Sequence, residues 1–529
     1  MKKFILGLLL ASLNLAALGQ EIIPHSHYQY QRLNATLYSK DTRLHTAMKP
    51  VLAEDSLIKK QLDSLLVKGT ERTYQTWLGR KLFNEHLVEV NQENFNVYFD
   101  FLPDWQIGRD KEHGITTWLN TRGYQVGGSI GKTFSFYTSG FENQARFSNY
   151  LTRYINNKGI IPGIVNDKVG GAKTTKDWAY ATALLNFTPS KHFSFTLGHD
   201  KNFIGDGYRS MLLSDVAAAY PFFKATMSLG NVKYMAMWAQ FQDPLSPQFS
   251  YDNGYRKKWG AFHYLDWNVN NRLSLGFFDS IIWQDADATG KRGFDASYLN
   301  PIIFMRTVEG MNGSPDNALL GLNAKYKLLN NLTLYVQFAA DEFTAKEVFK
   351  GEGYWANKFA YQLGVKGFDA FKVQGLNYLV EFNTARPFTY SQRSSLLNYG
   401  HYTEALAHPM GANFRELLSI WNYQYQKWTF SAQLNRASYG LDNGQNVGKD
   451  INSSYNTRIA QNGYYIGNGL KTSFNYAEAK VAYVLNPKYN LRLEVGGLFR
   501  QEKNALMNDK TTLFTFGLRS TFRNIYQDF

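Results

Sequence analysis

The chain of 529 residues contains no cysteine. That excludes a disulfide framework, a thiolate metal or iron–sulfur site, a cysteine nucleophile and a lipid-modified N-terminal cysteine. Proline is sparse, at 13 residues against 43 glycines, and charged residues make up only 19% of the chain. Beyond residue 19 no apolar run approaches the roughly 18–20 residues that cross a bilayer as a helix. Mean hydropathy is −0.38, which again argues against a helical membrane protein. What the chain holds in excess is aromatic: 38 Phe, 35 Tyr and 11 Trp, or 16% of the sequence. A hydrophobic content of 44% argues against disorder. A chain that is polar on average, yet rich in aromatics and glycine, suits a surface alternating between two environments.

The first nineteen residues set the compartment. Lys2 and Lys3 precede a mostly apolar stretch from Phe4 to Leu18, and Ala17-Leu18-Gly19 gives a small-x-small cleavage signal before Gln20. Residues 1–19 therefore read as a secretory signal peptide.

An exported chain without a spanning helix can satisfy its backbone in hydrocarbon only as a closed β-barrel. The pattern agrees. From Leu332 to Phe338 the even positions are apolar and the odd ones polar or amphipathic. Phe193, Phe195 and Leu197 alternate with His192, Ser194 and Thr196; Trp428, Phe430, Ala432 and Leu434 alternate with Thr429, Ser431, Gln433 and Asn435; Leu491, Leu493 and Val495 alternate with Arg492 and Glu494. Period two puts one set on each face of a strand. Apolar-out, polar-in strands ending in aromatics mark an outer-membrane barrel. Asn270-Asn271, Asn330-Asn331 and the 486–490 segment read as tight turns on one rim. Stretches 156–176, 284–291 and 441–462 read as longer loops on the other. The expected fold is all-β: a large antiparallel transmembrane barrel over residues 94–529, of about eighteen strands (range 16–20), in the outer membrane. The alternating Phe514, Phe516, Leu518 and Phe522, with Phe529 at the end, resemble a last strand closing on a terminal aromatic.

Residues 20–93 differ in kind. Leu57, Leu62, Leu65 and Leu66 recur at helical spacing behind Asp55 or Ser56 as N-cap, and Trp77, Leu78, Leu82 and Phe83 suggest a second helix. The segment is expected to form a periplasmic helical cap or plug.

Several motifs suggest chemistry that their context does not support. Gly127-Gly128-Ser129-Ile130-Gly131 matches a nucleophile elbow, but the following alternation makes Ser129 a strand residue. His25 and His27 could pair on a metal, yet no third ligand has useful spacing. The pairs Asp341-Glu342 and Asp206/Asp215 lack any stated separation for acid–base work. No enzyme activity, cofactor or metal is expected. The formal charge of +14 suits lipopolysaccharide phosphates and acidic glycans at a rim or lumen better than nucleic acid, which an exported barrel rarely meets.

Some stretches are denser in charge, Asn and Tyr than plain wall requires: Phe141–Phe147; Gly198–Ser210, continuing to Phe222; Tyr298–Pro301 with Asp316–Gly321; Asn383–Tyr390; and His401–Glu416. Within them, Gly205-Asp206-Gly207-Tyr208-Arg209-Ser210 and His408-Pro409-Met410-Gly411-Ala412-Asn413-Phe414-Arg415-Glu416 are the most specific. In their order along the chain from about Trp77 onward, these segments resemble the Wzi-type capsule-assembly outer-membrane barrels, in a branch similar to the Bacteroidetes gliding-motility protein RemB. The resemblance implies a large barrel plugged by helical segments and a lectin-like hold on surface polysaccharide. It also implies a role in adhesion or gliding, with motility or adhesion proteins as partners. No individual sugar contact carries over from it.

From the residues alone, Arg146, Arg209, Asp215, Arg386, His408, Asn413 and Arg415 are the candidates. Arginine forks grip carboxylate or phosphate, and tyrosine faces stack on sugars. The reading favoured for these residues is a hydrogen-bonded lumen network, because a barrel interior must satisfy its charges internally. The Gly205-Asp206-Gly207 turn is expected to bend chain into the lumen. The competing function is a porin or transporter, which needs an open lumen.

Overall fold

The computed structural model describes residues 22–52, 58, 60–61, 64, 74–166, 173–248, 254–304, 306–312 and 316–529. The leader read at residues 1–19 and the helical leucines 57, 62, 65 and 66 lie outside them. Eighteen antiparallel strands close into one barrel, beginning with Phe95–Asp110 and ending with Asn508–Arg519. Every consecutive pair is a hairpin neighbour. Short turns at 131–133, 191–192, 230–231, 330–331 and 426–427 occupy one rim, and the excursions 147–174, 201–219, 285–316, 386–413 and 442–469 leave from the other. By that asymmetry the short-turn rim is periplasmic. Among the described residues no helix is long and apolar enough to cross a membrane.

The alternation read from sequence is realised side chain by side chain. Thr333, Tyr335 and Gln337 face inward and are buried, while Leu334 and Val336 face out. Ser194 and Thr196 are inside with Phe193 and Leu197 outside; Arg492 and Glu494 are inside with Leu493 and Val495 outside. An apolar outer wall around a polar inner one places this barrel in the outer membrane. Ser129 lies within the Ile115–Ile130 strand, paired with Asn96 and Ser135, so no strand–turn–helix elbow forms there.

Closure occurs between the first and last strands, where Trp105–Asp110 pair with Leu513–Leu518. The periplasmic part of the first strand pairs instead with a short strand, Val88–Asn91.

The lumen is filled by four pieces of the chain. The N-terminal segment enters from the periplasmic side. Its helix His27–Leu37, capped by Ser26, packs Tyr30, Leu33 and Leu37 against Ile23, Val51 and Phe368. Lys327 holds the carbonyls of Ser39 and Thr42, at 2.7 and 2.8 Å. From the loop rim, residues 201–219 fold inward and add Phe203–Ile204 as a strand to Met48–Lys49. The 386–413 excursion follows: Tyr390 and Tyr399 donate to the carbonyls of Met211 and Leu212. Lastly, the tail after Arg519 turns back up the barrel. Arg523 pairs with Asp200 at 2.7 Å, and the Phe529 ring sits 4.4 Å from that of Tyr154. This corrects the expectation for the chain's end. Phe514, Phe516 and Leu518 do lie in the last strand, but Phe522, Tyr526 and Phe529 follow it, which is why their spacing loses register.

Inward folding requires partners for buried backbone groups. The wall supplies them from strand side chains. Gln337 accepts from Met211 N (2.8 Å) and donates to Ile204 O (3.0 Å); Gln362 donates to Arg209 O (3.0 Å); Glu381 accepts from the amides of Tyr208 (2.5 Å) and Arg209 (3.2 Å). Close approach explains the two glycines. Gly205 has φ +144°, and a Cβ on Gly207 would strike the Glu381 carboxylate. The turn bends into the lumen as its sequence suggests.

Candidate functional site

One charged cluster of the lumen is built around Arg209, which is 1% exposed. Its Nη2 pairs with Glu416 at 3.2 Å and with Asp528 of the tail at 2.7 Å. The guanidinium also lies over the rings of Tyr208 and Tyr526, 4.9 and 5.4 Å from their centroids. Glu416 accepts further bonds from Asn383 (2.9 Å), Asn435 (2.7 Å) and His408 Nε2 (2.7 Å). His408 Nδ1 accepts from Met410 N at 3.1 Å, which fixes the tautomer with the proton on Nε2. Burial outweighs the attraction of Glu416 and brings the His408 pKa to about 4, so the imidazole is neutral. Glu416 and His408 are held by protein partners, whereas Arg209 Nε and Nη1, Asn435 Oδ1 and Asp528 Oδ1 are buried without a hydrogen-bond partner among the described residues. It is a structural hub.

The other sequence candidates are dispersed. Asn413, with φ 54°, donates to the carbonyls of Gly440 and Asn468 and accepts from Gly467 N, tying the 442–469 excursion to the wall. Arg386 ties three outer-rim carbonyls, those of Asn357, Tyr354 and Tyr464. Arg146 ends its strand and lines a separate cavity of about 160 Å³ with Trp118, Tyr476 and Glu478. Arg415 is exposed on the outer face of its strand, beside Leu417 and opposite in direction to Glu416, and so takes no part in the lumen network. Strand parity in Arg415-Glu416-Leu417 carried that information. Asp215 accepts from Tyr526 Oη (2.6 Å) and Asn524 Nδ2 (2.7 Å) and lies 3.8 Å from His25 Nε2.

The carboxylates of the two pairs are held by protein cations and hydroxyls. Asp206 is held by Tyr38 (2.8 Å) and Thr46 (2.5 Å), with Lys325 4.0 Å away. Asp341 and Glu342 share Lys358, at 3.2 and 3.1 Å.

What the sequence did not reveal is a cavity of about 750 Å³ at the loop rim. Its walls come from the Asn149–Lys158 helix, the 403–411 and 439–453 segments and the strand end at Arg500 and Glu502, and the chain's tail lines it too. Tyr150, Tyr154, Tyr439 and Phe529 give it aromatic faces; Arg153, Lys158, Glu404, Asp442 and Asp450 give it charge of both signs. Glu404 accepts from Gly163 N at 2.9 Å, and burial pushes its carboxyl up from the usual range. Rigid aromatic faces with polar groups between them form the kind of surface on which a pyranose ring stacks and hydrogen-bonds. No single stretch of sequence contains it, because its residues come from six parts of the chain.

No protein-family model matches the sequence, and no curated protein does. Among solved structures the chain is similar to Wzi of Escherichia coli, an outer membrane protein involved in group 1 capsule assembly and a carbohydrate-binding β-barrel. That likeness has a TM-score of 0.55 at 12% identity and covers 95% of this chain and 99% of that one. Looser likenesses join it to Pseudomonas aeruginosa OprD (TM-score 0.43, 11% identity, 82% and 98% covered) and to OpdK with vanillate from the same organism (0.43, 8%, 80% and 98%). At these identities the likeness to Wzi is one of fold, and the looser two carry no further weight.

Proposed function

We propose that this outer-membrane barrel holds surface polysaccharide in the loop-rim cavity, in the manner of the Wzi-type capsule-assembly proteins that its motifs resemble. The observation that carries this reading is the combination of a filled lumen with an aromatic, charged cavity above it. Met211, Leu212, Leu213 and Phe203 are 0% exposed at the barrel's middle, which leaves a solute channel no clear path. A cavity of about 750 Å³ accommodates a few sugar rings. Adhesion or gliding would then be the cellular consequence of glycan held at the surface, with lipopolysaccharide a second source of the same chemistry. A binding role of this kind needs no catalytic group, consistent with a non-enzyme.

The test is the cell-bound fraction of surface polysaccharide in a deletion strain of the producing organism. Glycan is expected to shift to the medium, and wild-type protein to restore it. Complementation with Tyr154→Ala plus Arg153→Ala should restore the barrel but not retention. Each lost aromatic contact weakens binding by about 0.5–1.5 kcal/mol, or roughly two- to thirteenfold. An Arg415→Ala control, on the outer face, should retain glycan normally. Unchanged retention in the deletion strain would end this reading.

A further inference from the structure

We infer that His25, His27 and Asp215 form a binding site for a divalent transition ion of the zinc class, where three lumen segments cross. One donor atom from each residue lies within 4.8 Å of the others. Asp215 is the third ligand that sequence spacing could not supply, brought from 188 positions downstream of His27 by the inward fold of residues 201–219.

Three further observations point to a ligand. His25 is 8% exposed, yet neither of its ring nitrogens has a hydrogen-bond partner. A buried imidazole with both nitrogens idle is costly, and a metal at one of them removes part of that cost. The rings of His25 and His27 stand edge to face with centroids 5.1 Å apart, so they converge without stacking. A cavity of about 90 Å³ borders His25 and Asp215, leaving room for a bound water as a further ligand.

The surroundings are suited to ligation. Tyr526 Oη gives its one proton to Asp215 and receives one from His27 Nε2 at 2.8 Å, orienting both. Charged groups facing the site include Lys49, Lys201 and Arg209. They oppose added positive charge, the ion's included, which Asp215, the anionic ligand, offsets in part. Metal–ligand distances of about 2.0–2.2 Å place tetrahedral ligand atoms about 3.3 Å apart, so closing the site needs side-chain shifts on the order of 1 Å. Two imidazoles and one carboxylate favour Zn2+ over Mg2+ or Ca2+, which prefer all-oxygen sets. His25 and His27 belong to the N-terminal segment, Asp215 to the inward loop, and Tyr526 to the tail. An ion here would fasten the three together, whatever the glycan reading's fate.

The experiment uses full-length, untagged protein in detergent, stripped with EDTA and dialysed against Zn2+. About one tightly held zinc per chain is expected, with a rise in the temperature at which the folded form is lost. His25→Gln and Asp215→Asn should weaken retention by at least about tenfold. His192→Gln, an exposed histidine on a periplasmic turn, should leave it unchanged. A wild type that keeps no zinc, or variants that keep as much as the wild type, would overturn the site. If a variant fails to fold, Co2+ titration of the wild type decides: strong visible absorption of low-coordinate Co2+ supports the site, and the weak spectrum of a hexahydrated ion refutes it.

Discussion

Reconstituted in a planar bilayer, the wild-type protein should pass almost no ion current, and a variant lacking the inward segment 205–213 should conduct strongly. Barrels of 16–18 strands leave an aqueous channel unless something fills it. Here the filling is specific. Replacing 205–213 by a flexible Gly-Ser linker removes Arg209, Met211, Leu212 and Leu213 together, and deprives Gln337, Gln362, Glu381 and Glu416 of their partners on that segment. Those side chains are polar, so water replaces the lost partners at little cost and the barrel wall survives. Conductance should rise by about tenfold or more, consistent with a porin-sized bore. Folding is checked independently by heat-modifiable migration. A wild type that already conducts like a porin would overturn the filled-lumen reading and revive the solute-channel alternative.

The second large effect concerns stability. Arg209→Met should lower it by about 3–5 kcal/mol, because Glu416 and Asp528 would stay buried without their cation. Arg209 is 1% exposed and Glu416 is likewise buried at 1%, so water cannot readily take the guanidinium's place. The readout is the temperature at which the compact form disappears on a gel. The diagnostic comparison is the triple variant Arg209→Met, Glu416→Gln, Asp528→Asn. Neutralising the stranded carboxylates should recover most of the loss, since a whole ion group replaced by neutral groups is often tolerated where half of it is not. A single variant as stable as the wild type would show that water reaches the hub.

The wall of this protein was legible in its sequence and the contents of the lumen mostly were not. Period two in segments such as Leu332–Phe338 dictates which side chains face lipid, and the Asn-Asn turns mark the periplasmic rim, so strand number and compartment follow. The Gly205-Asp206-Gly207 bend was also readable, because only glycine lets the chain pass so close to Glu381. Tertiary geometry decides the rest. His25 meets Asp215, and Phe529 meets Tyr154, only because the segment from residue 22 onward and the tail both enter the barrel, and no local period encodes that. Arg386 and Asn413 looked like ligand-binding side chains, yet they spend their hydrogen bonds on loop carbonyls. Arginine and asparagine serve either purpose, and composition alone does not distinguish them.

The change of partner along the first strand carries a mechanical consequence. Its outer part is latched to the last strand by Trp105–Asp110, and its periplasmic part to Val88–Asn91 of the same chain. Among the described residues Val88–Asn91 pairs with the first strand alone, so the hoop is closed by six residue pairs, Trp105–Asp110 against Leu513–Leu518, and load along the circumference falls on that short seam.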